Sequence, residues 1–465
     1  MSLRTLRATL SADGSVGAGN VLTTRVEQGL GPDSPTLTFD TPVDGHPANT
    51  ALTLRQLDTA VRTRAAALHA LGVRRRDPVA VQASAAAEQV LSFLALNHLG
   101  AIPALLNPAL DADTSARYLR RLNATGLLAD TAHAKALAGL DCGAPPLIAV
   151  NLALSFDAEL HLISQQTGPA VLEAIERWQP LGVYGFATTW ADLARQDLSA
   201  RDLSSVGLWW NTGDCAHEAH IRRLIAQGSR ETATRQGRVR TAGSVFIDGL
   251  GSSEMGHSHF FITHTLGSER YGRCVGRPHA FVDCVVLDPD GNELGPGEVG
   301  ELGTRSPTLS PGYWNDSVTT HRTRVRDYFL TGDLMYRDED GYYYHVDRAV
   351  DSVDLGGGRR LHTAASEERV LAACPDVHDC TVVAFRDGGR TVADVLLQLD
   401  PAADQDADRT AEVLAALEPH VAAVVRGVLA VPDGRIPLGP TGKVRKVLLR
   451  ERHLAENAAA GAGAP

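Results

Sequence analysis

Lysine is nearly absent from this sequence. The 465 residues hold 44 Lys and Arg together, and only Lys135, Lys443 and Lys446 are lysine. A solvated surface does not distinguish the two cations, whereas a site that needs a compact charge on a flexible stem does. Two of the three lysines fall in "IPLGPTGKVRK" (436–446). Long apolar runs are missing as well, so no membrane-spanning helix is expected. The opening "MSLRTLRATLSADGS" has no apolar h-region and does not read as a secretory signal. The six cysteines form no Cys-x-x-Cys pair, so neither a zinc ribbon nor a disulfide framework is suggested. A reducing cytoplasm is the expected setting. A net charge of −11 gives no support to nucleic-acid or anionic-membrane binding, but leaves room for a local cationic site for a phosphorylated small molecule. No repeat of fixed period is visible.

What is present alternates between helix and strand. "TLRQLDTAVRTRAAALHALG" reads as an amphipathic helix, capped by Thr53, closed by Gly72 and burying Leu54, Leu57, Val61, Leu68 and Leu71. A strand at 77–83, a helix at 85–100, a strand at 101–108, a further helix and a strand at 126–130 follow. This order predicts a parallel α/β sheet. From about residue 270 the chain is rich in Val, Gly and Pro and reads as a β-rich subdomain. Beyond Asp347 it restarts as a small α+β unit: helix 364–373, strand 379–385, a Gly388-Gly389 turn, strand 391–399, helix 409–424 and strand 426–430. The expected organisation is a large domain over 1–347, a small mobile domain over 348–455 and a disordered tail over 456–465.

Several stretches carry chemistry, and they come in a fixed order: "LNHLGAIPALLNP" (96–108), "WWNTGDCA" (209–216), "GLGSSEMGH" (249–257), "GEVGELGTRSPTLSPGYWND" (297–316), "YFLTGDLMYRDEDGYYYHVDRAVD" (328–351) and "IPLGPTGKVRK". Together they resemble the adenylate-forming superfamily of acyl-CoA synthetases, adenylation domains and luciferases, over roughly residues 50 to 450. The resemblance implies activation of a carboxylate by ATP to an acyl-adenylate, with release of pyrophosphate, followed by transfer to a thiol. It makes Lys443 the mobile cation at the carboxylate and α-phosphate, a role that suits an ammonium group. Asp333 would accept the ribose hydroxyls, with Arg348 beside it. Glu254 would hold magnesium, next to Ser253. Gly213 and Gly251 would line the nucleotide pocket. Phe186, Trp190, Trp210 and Gly249 would shape the acid pocket and suggest an apolar or aryl acid. Lys446 is read as a surface cation, and His257 and His259 as core or pocket-wall residues rather than metal ligands.

The chain departs from the family pattern in four places. Leu250 stands where an aromatic usually stacks on adenine. Asp214 and Cys215 replace small residues. Val350 occupies the usual hinge carboxylate position. The Ser/Thr/Gly-rich loop ending in Pro-Lys, which wraps the β- and γ-phosphates, is missing: several dozen residues are absent at about Pro145–Pro146. "SQQTGPAV" (164–171) is the one candidate substitute and reads better as a helix opened by proline. The expected activity is therefore an AMP-forming acid–thiol ligase using ATP, Mg and CoA. Two alternatives are a pseudoenzyme that binds AMP, an acyl-adenylate or a partner, and an enzyme that loads a carrier-protein thiol. A small carboxylic acid is the expected substrate.

Overall fold

The computed structural model describes residues 3–17, 19–108, 112–130, 158–234, 237–387, 390–437 and 444–462. The chain forms two compact units, Met1–Gln166 and Thr167–Pro465. That division falls inside the large domain expected from the sequence, and Asp347 lies within the second unit.

The first unit contains helices α1 (Leu3–Ala12), α2 (Val21–Glu27), α3 (Leu54–Ala70), α4 (Ala86–His98) and α5 (Ala112–Leu122). Its strands are β1 (Pro35–Phe39), β2 (Ala51–Thr53), β3 (Pro78–Gln82), β4 (Ile102–Leu105), β5 (Gly126–Ala129) and β6 (Leu160–Leu162). Strands β4-β3-β5 make the parallel sheet that the helix–strand alternation predicts. Strands β2-β1-β6 make a second, mixed sheet. Helix α3 opens on a capping box: the Gln56 N–H donates to the Thr53 hydroxyl, and the Thr53 N–H donates to the Gln56 side chain. Leu54, Leu57, Val61 and Leu68 are buried as expected, but Leu71 is 81% exposed. It lies one residue past the helix end and has turned off the apolar face.

The second unit is built on one large sheet. Helix α6 (Gly168–Trp178) leads to β7 (Gly182–Phe186), α7 (Ala187–Ala194), β8 (Leu208–Thr212) and α8 (Glu218–Ile225). A hairpin, β9 (Ser229–Thr234) and β10 (Gly237–Ala242), precedes β11 (Val245–Leu250), β12 (Phe260–His264), β13 (Cys274–Pro278), β14 (Asp283–Leu287) and β15 (Gly300–Arg305). Helix α9 (Ser317–Arg322), β16 (Arg324–Val325), β17 (Tyr328–Arg337) and β18 (Tyr343–Arg348) follow. The order is β14-β15-β17-β18-β13-β12-β11-β8-β7, with β16 on β17. Strands β7, β8 and β11 are parallel, and the rest of the sheet is antiparallel. The β-rich stretch after residue 270 thus extends the same sheet instead of standing apart.

The C-terminal elements are β19 (Val353–Gly356), β20 (Arg359–Leu361), α10 (Thr363–Ala373), β21 (Val377–Asp387), β22 (Arg390–Leu399), α11 (Thr410–Ala416), α12 (Pro419–Ala422), β23 (Val425–Ala430) and α13 (Lys446–Ala462). They have their own core around Val370, Val382, Val395, Leu397 and Val413. The single helix expected over 409–424 is broken at Pro419, which has no N–H to donate and starts a new turn instead. Residues 456–462, expected as a disordered tail, continue α13, as their alanine content favours. No described helix is long and apolar enough to cross a membrane.

Candidate active site

Strands β17 and β18 are joined by a tight turn in which the Tyr342 N–H donates to Asp338 Oδ1 at 2.8 Å. The register sets Asp333 opposite Arg348. The pairing then slips by one residue between Leu334 and Met335, leaving Val346 as an extra residue on β18. Side chains alternate along a strand, so His345 and Arg348, three apart, would ordinarily face opposite ways. The bulge between them reverses the alternation, and both face Asp333. Arg348 Nε lies 3.3 Å and His345 Nε2 3.5 Å from Asp333 Oδ1. Burial alone would raise the Asp333 pKa. The His345 and Arg348 contacts outweigh it and hold the carboxyl below its usual value, as an anion.

This pair forms one end of a cavity of about 450 Å³. Gly213, Gly251, Glu254, Asp333 and Arg348 all line it, so five expected site residues converge. Ser253 does not: it is exposed, and Ser252 supplies the lining hydroxyl. Glu254 Oε1 accepts from the Tyr313 hydroxyl at 3.0 Å. Burial, reinforced by that carboxylate, pushes the Tyr313 phenol up to about 12. Leu250 is in the wall where an aromatic was missed, and the aromatic side chains available there are Tyr313, Phe329 and His345. Glu301, Asp214 and Arg322 also line the cavity. Glu301 Oε1 accepts from the Gly332 N–H at 3.1 Å, and burial raises its pKa.

The 213–216 turn is fastened from below. The Asp248 carboxylate accepts from Asn211 Nδ2 at 2.7 Å, from the Ala216 N–H at 3.0 Å and from the Cys215 thiol at 3.4 Å. Burial and the Asp248 charge raise the Cys215 thiol pKa far above its ordinary value, so it is a structural thiol, not a nucleophile. Gly213 has φ +87°, and a Cβ there would stand 2.9 Å from the Phe186 ring. This contact joins the cavity to an aromatic face. Tyr184 and Phe186 on β7, Trp210 on β8, and Gly249 and Phe261 on β11 and β12 share one side of the sheet. A Cβ at Gly249 would meet the Phe261 ring at 2.4 Å. Trp190 points the other way. It is fully buried, donates to Asn211 Oδ1 at 2.8 Å and packs edge-on against Trp209 and Phe246, which makes it a core residue.

Lys443 and the segment around Pro145–Pro146 lie outside the described residues, as does the Gly388-Gly389 turn. Lys446, read from the sequence as a surface cation, is instead largely buried. Its ammonium donates to Thr363 Oγ1 at 2.5 Å and to Glu367 Oε1 at 2.9 Å. His259 is buried between hydroxyls, with Nδ1 2.6 Å from Thr304 Oγ1, and burial pulls its pKa down to about 4. Among the described residues no group of three metal-ligating side chains occurs. The start of α6, the candidate substitute phosphate seat, already holds an anion: the Gly168 N–H donates to Asp192 Oδ2 at 2.5 Å. Sequence reasoning missed Glu301, Tyr313 and His345. Glu301 lies within a motif that was quoted only for its position, and His345 reaches Asp333 solely through the bulge.

The AMP-binding enzyme family matches residues 31–149 and 146–314, two segments that meet near residue 146. A 3-aminoavenalumate diazotase from a Streptomyces species is 36% identical, covering 97% of this chain and 98% of its own. That alignment spans 552 positions, about 100 more than the residues of this chain it covers. An anthranilate CoA ligase solved with anthranoyl-AMP superposes with a TM-score of 0.78 at 19% identity, covering 97% of this chain and 99% of that one. O-succinylbenzoate coenzyme A synthetase from Bacillus subtilis, solved with ATP and magnesium, gives 0.73 at 18% identity, covering 93% and 99%. With a family match over more than half its length and a full-length relative above 30% identity, the chain belongs to the AMP-binding enzymes, the adenylate-forming superfamily.

Proposed function

We propose that this protein activates a small aryl acid with ATP, forming an adenylate and releasing pyrophosphate, and then passes the activated group to a nucleophile. The observation that carries this reading is the convergence of Gly213, Gly251, Glu254, Asp333 and Arg348 on one cavity. Asp333, held as an anion between Arg348 and His345, accepts the two ribose hydroxyls. Glu254 suits a magnesium ion: it is a carboxylate in the cavity wall with one oxygen steadied by Tyr313. When bound, that ion neutralises phosphate charge. Lys443 is the proposed cation at the α-phosphate.

The aromatic face of Tyr184, Phe186, Trp210 and Phe261 beside Gly213 supports an aryl substrate. So do the amino-aryl acids in the names of the diazotase and the anthranilate ligase. A thiol, on CoA or on a carrier protein, is the proposed acceptor. The diazotase name points to a different transfer, in which an aromatic amine gains a second nitrogen from an activated nitrogen oxyacid such as nitrite and no acyl group is passed on.

One observation favours a second reading, nucleotide binding without turnover. The 552-position alignment exceeds the aligned residues of this chain, as expected for a chain that has lost its phosphate loop near residue 146. ATP–pyrophosphate exchange over a panel of aryl acids, with AMP and ATP binding measured in parallel, tests both. Acid-dependent exchange is expected for an active ligase. Background exchange with AMP bound as tightly as ATP leaves only the binding protein.

A further inference from the structure

Arg273, just before β13, is an expensive residue. Its side chain is 3% exposed, its backbone sits at φ +62°, and its Nε is buried without a hydrogen-bond partner. A buried cation loses its hydration and a non-glycine residue in the left-handed region is strained, so both features need compensation. The compensation lies at the cavity wall. One guanidinium nitrogen donates to His345 Nδ1 at 2.9 Å and to Asp214 Oδ1 at 3.2 Å, and the other donates to the Cys215 carbonyl at 3.4 Å. The Arg273 carbonyl in turn accepts from the His345 N–H at 3.0 Å. Asp214 and His345 both line the cavity.

The chemistry of the contact is one-directional. A guanidinium can only donate, so His345 Nδ1 must present its lone pair and the ring proton must sit on Nε2. That proton faces Asp333 Oδ1. An arginine keeps its charge throughout the working pH range, so a donor always faces His345 Nδ1. We propose that Arg273 is a positioning residue that braces the Asp214 turn and His345 as one unit and thereby fixes Asp333 as the acceptor for the nucleoside diol. The ligand half of this inference rests on the nucleotide reading above, and the tautomer half does not.

The test uses the full chain labelled with ¹⁵N-histidine, His345 being identified by the signals lost in His345→Phe. Long-range ¹H–¹⁵N correlation of the neutral ring should show a protonated Nε2 and a bare Nδ1. Arg273→Met removes the donors but keeps the length. It should give a mixture of the two tautomers, and AMP affinity by calorimetry should fall about tenfold or more. Arg273→Lys, one point donor in place of a fork, should restore part of both. If Arg273→Met does not fold, the lysine variant carries the comparison. A folded variant lacking the fork that keeps the Nε2–H pattern and the AMP affinity overturns the proposal. If the wild type shows that pattern and Arg273→Met or Arg273→Lys loses it, yet AMP binds to none of them, the positioning role stands and the nucleotide reading falls.

Discussion

Asp333 is the residue on which the nucleotide reading turns, because it is a buried anion whose two compensating partners leave the carboxylate facing the cavity. Asp333→Asn removes the charge and turns one acceptor into a donor, so AMP affinity should drop by about tenfold or more by calorimetry. Unchanged affinity would remove the ribose role. Lys446 makes the opposite kind of prediction, about stability and not ligand. Its ion pair with Glu367 joins the start of α13 to α10. Truncating only the lysine leaves a buried carboxylate without its cation and should cost about 3 kcal/mol in chemical denaturation. Replacing both partners by methionine should cost clearly less than Lys446→Met alone, because no unpaired charge remains.

Between elements, α8 and α10 meet through a titratable contact. His217 Nδ1 lies 2.5 Å from Glu368 Oε2, the Glu218 N–H donates to Glu368 Oε1 at 3.2 Å, and His220 Nε2 lies 2.7 Å from the His378 carbonyl. Burial works against protonation of His217, but the Glu368 contact prevails and its pKa is raised; Asp379 adds to this, and Arg273 opposes it. Glu368 is lowered, with His217 overcoming the cost of its burial. A raised histidine contributes stability that is full below about pH 6.5 and is lost as pH rises through the folded pKa. Alkaline pH should therefore loosen this contact. Hydrogen exchange of α10 amides, corrected for intrinsic rates, should report more frequent opening toward about pH 9. Glu368→Gln should remove that dependence, and an equal pH response in the variant would assign the opening elsewhere.

For the molecule as a whole, two histidines set the acid limit. Burial lowers His259 and His264 to about 4. His264 is stacked on Tyr271, which carries the Arg222 guanidinium on a ring face. The unfolded chain binds protons at these rings from about pH 6.5 downward, and the folded chain does so only near 4. Stability should thus fall progressively from about pH 6.5 toward pH 4. Denaturation midpoints measured across that range should decline, and His264→Phe, which keeps the stack without the titration, should decline less. Asp347, where the sequence places the domain boundary, is buried and accepts from the Thr363 N–H and hydroxyl at the start of α10. It therefore fastens the elements on either side of that point, a contact with no local signature.

Local physics was enough for much of this protein. The capping box at Thr53, the helix–strand alternation of residues 54–129 and the ordered motifs at Glu254, Asp333 and Arg348 are written in adjacent residues, so the sequence determines the fold class, the family and most of the cavity wall. Other features depend on neighbours distant in the chain. The bulge at Val346 turns His345 toward Asp333. Arg273, 72 residues from His345, sets its tautomer. Trp190 faces the core and not the aromatic surface. Lys446 is drawn inside by Glu367, 79 residues away. A register slip, a burial and a long-range ion pair are properties of packing, and no pattern of adjacent residues encodes them, so only the tertiary structure could decide them.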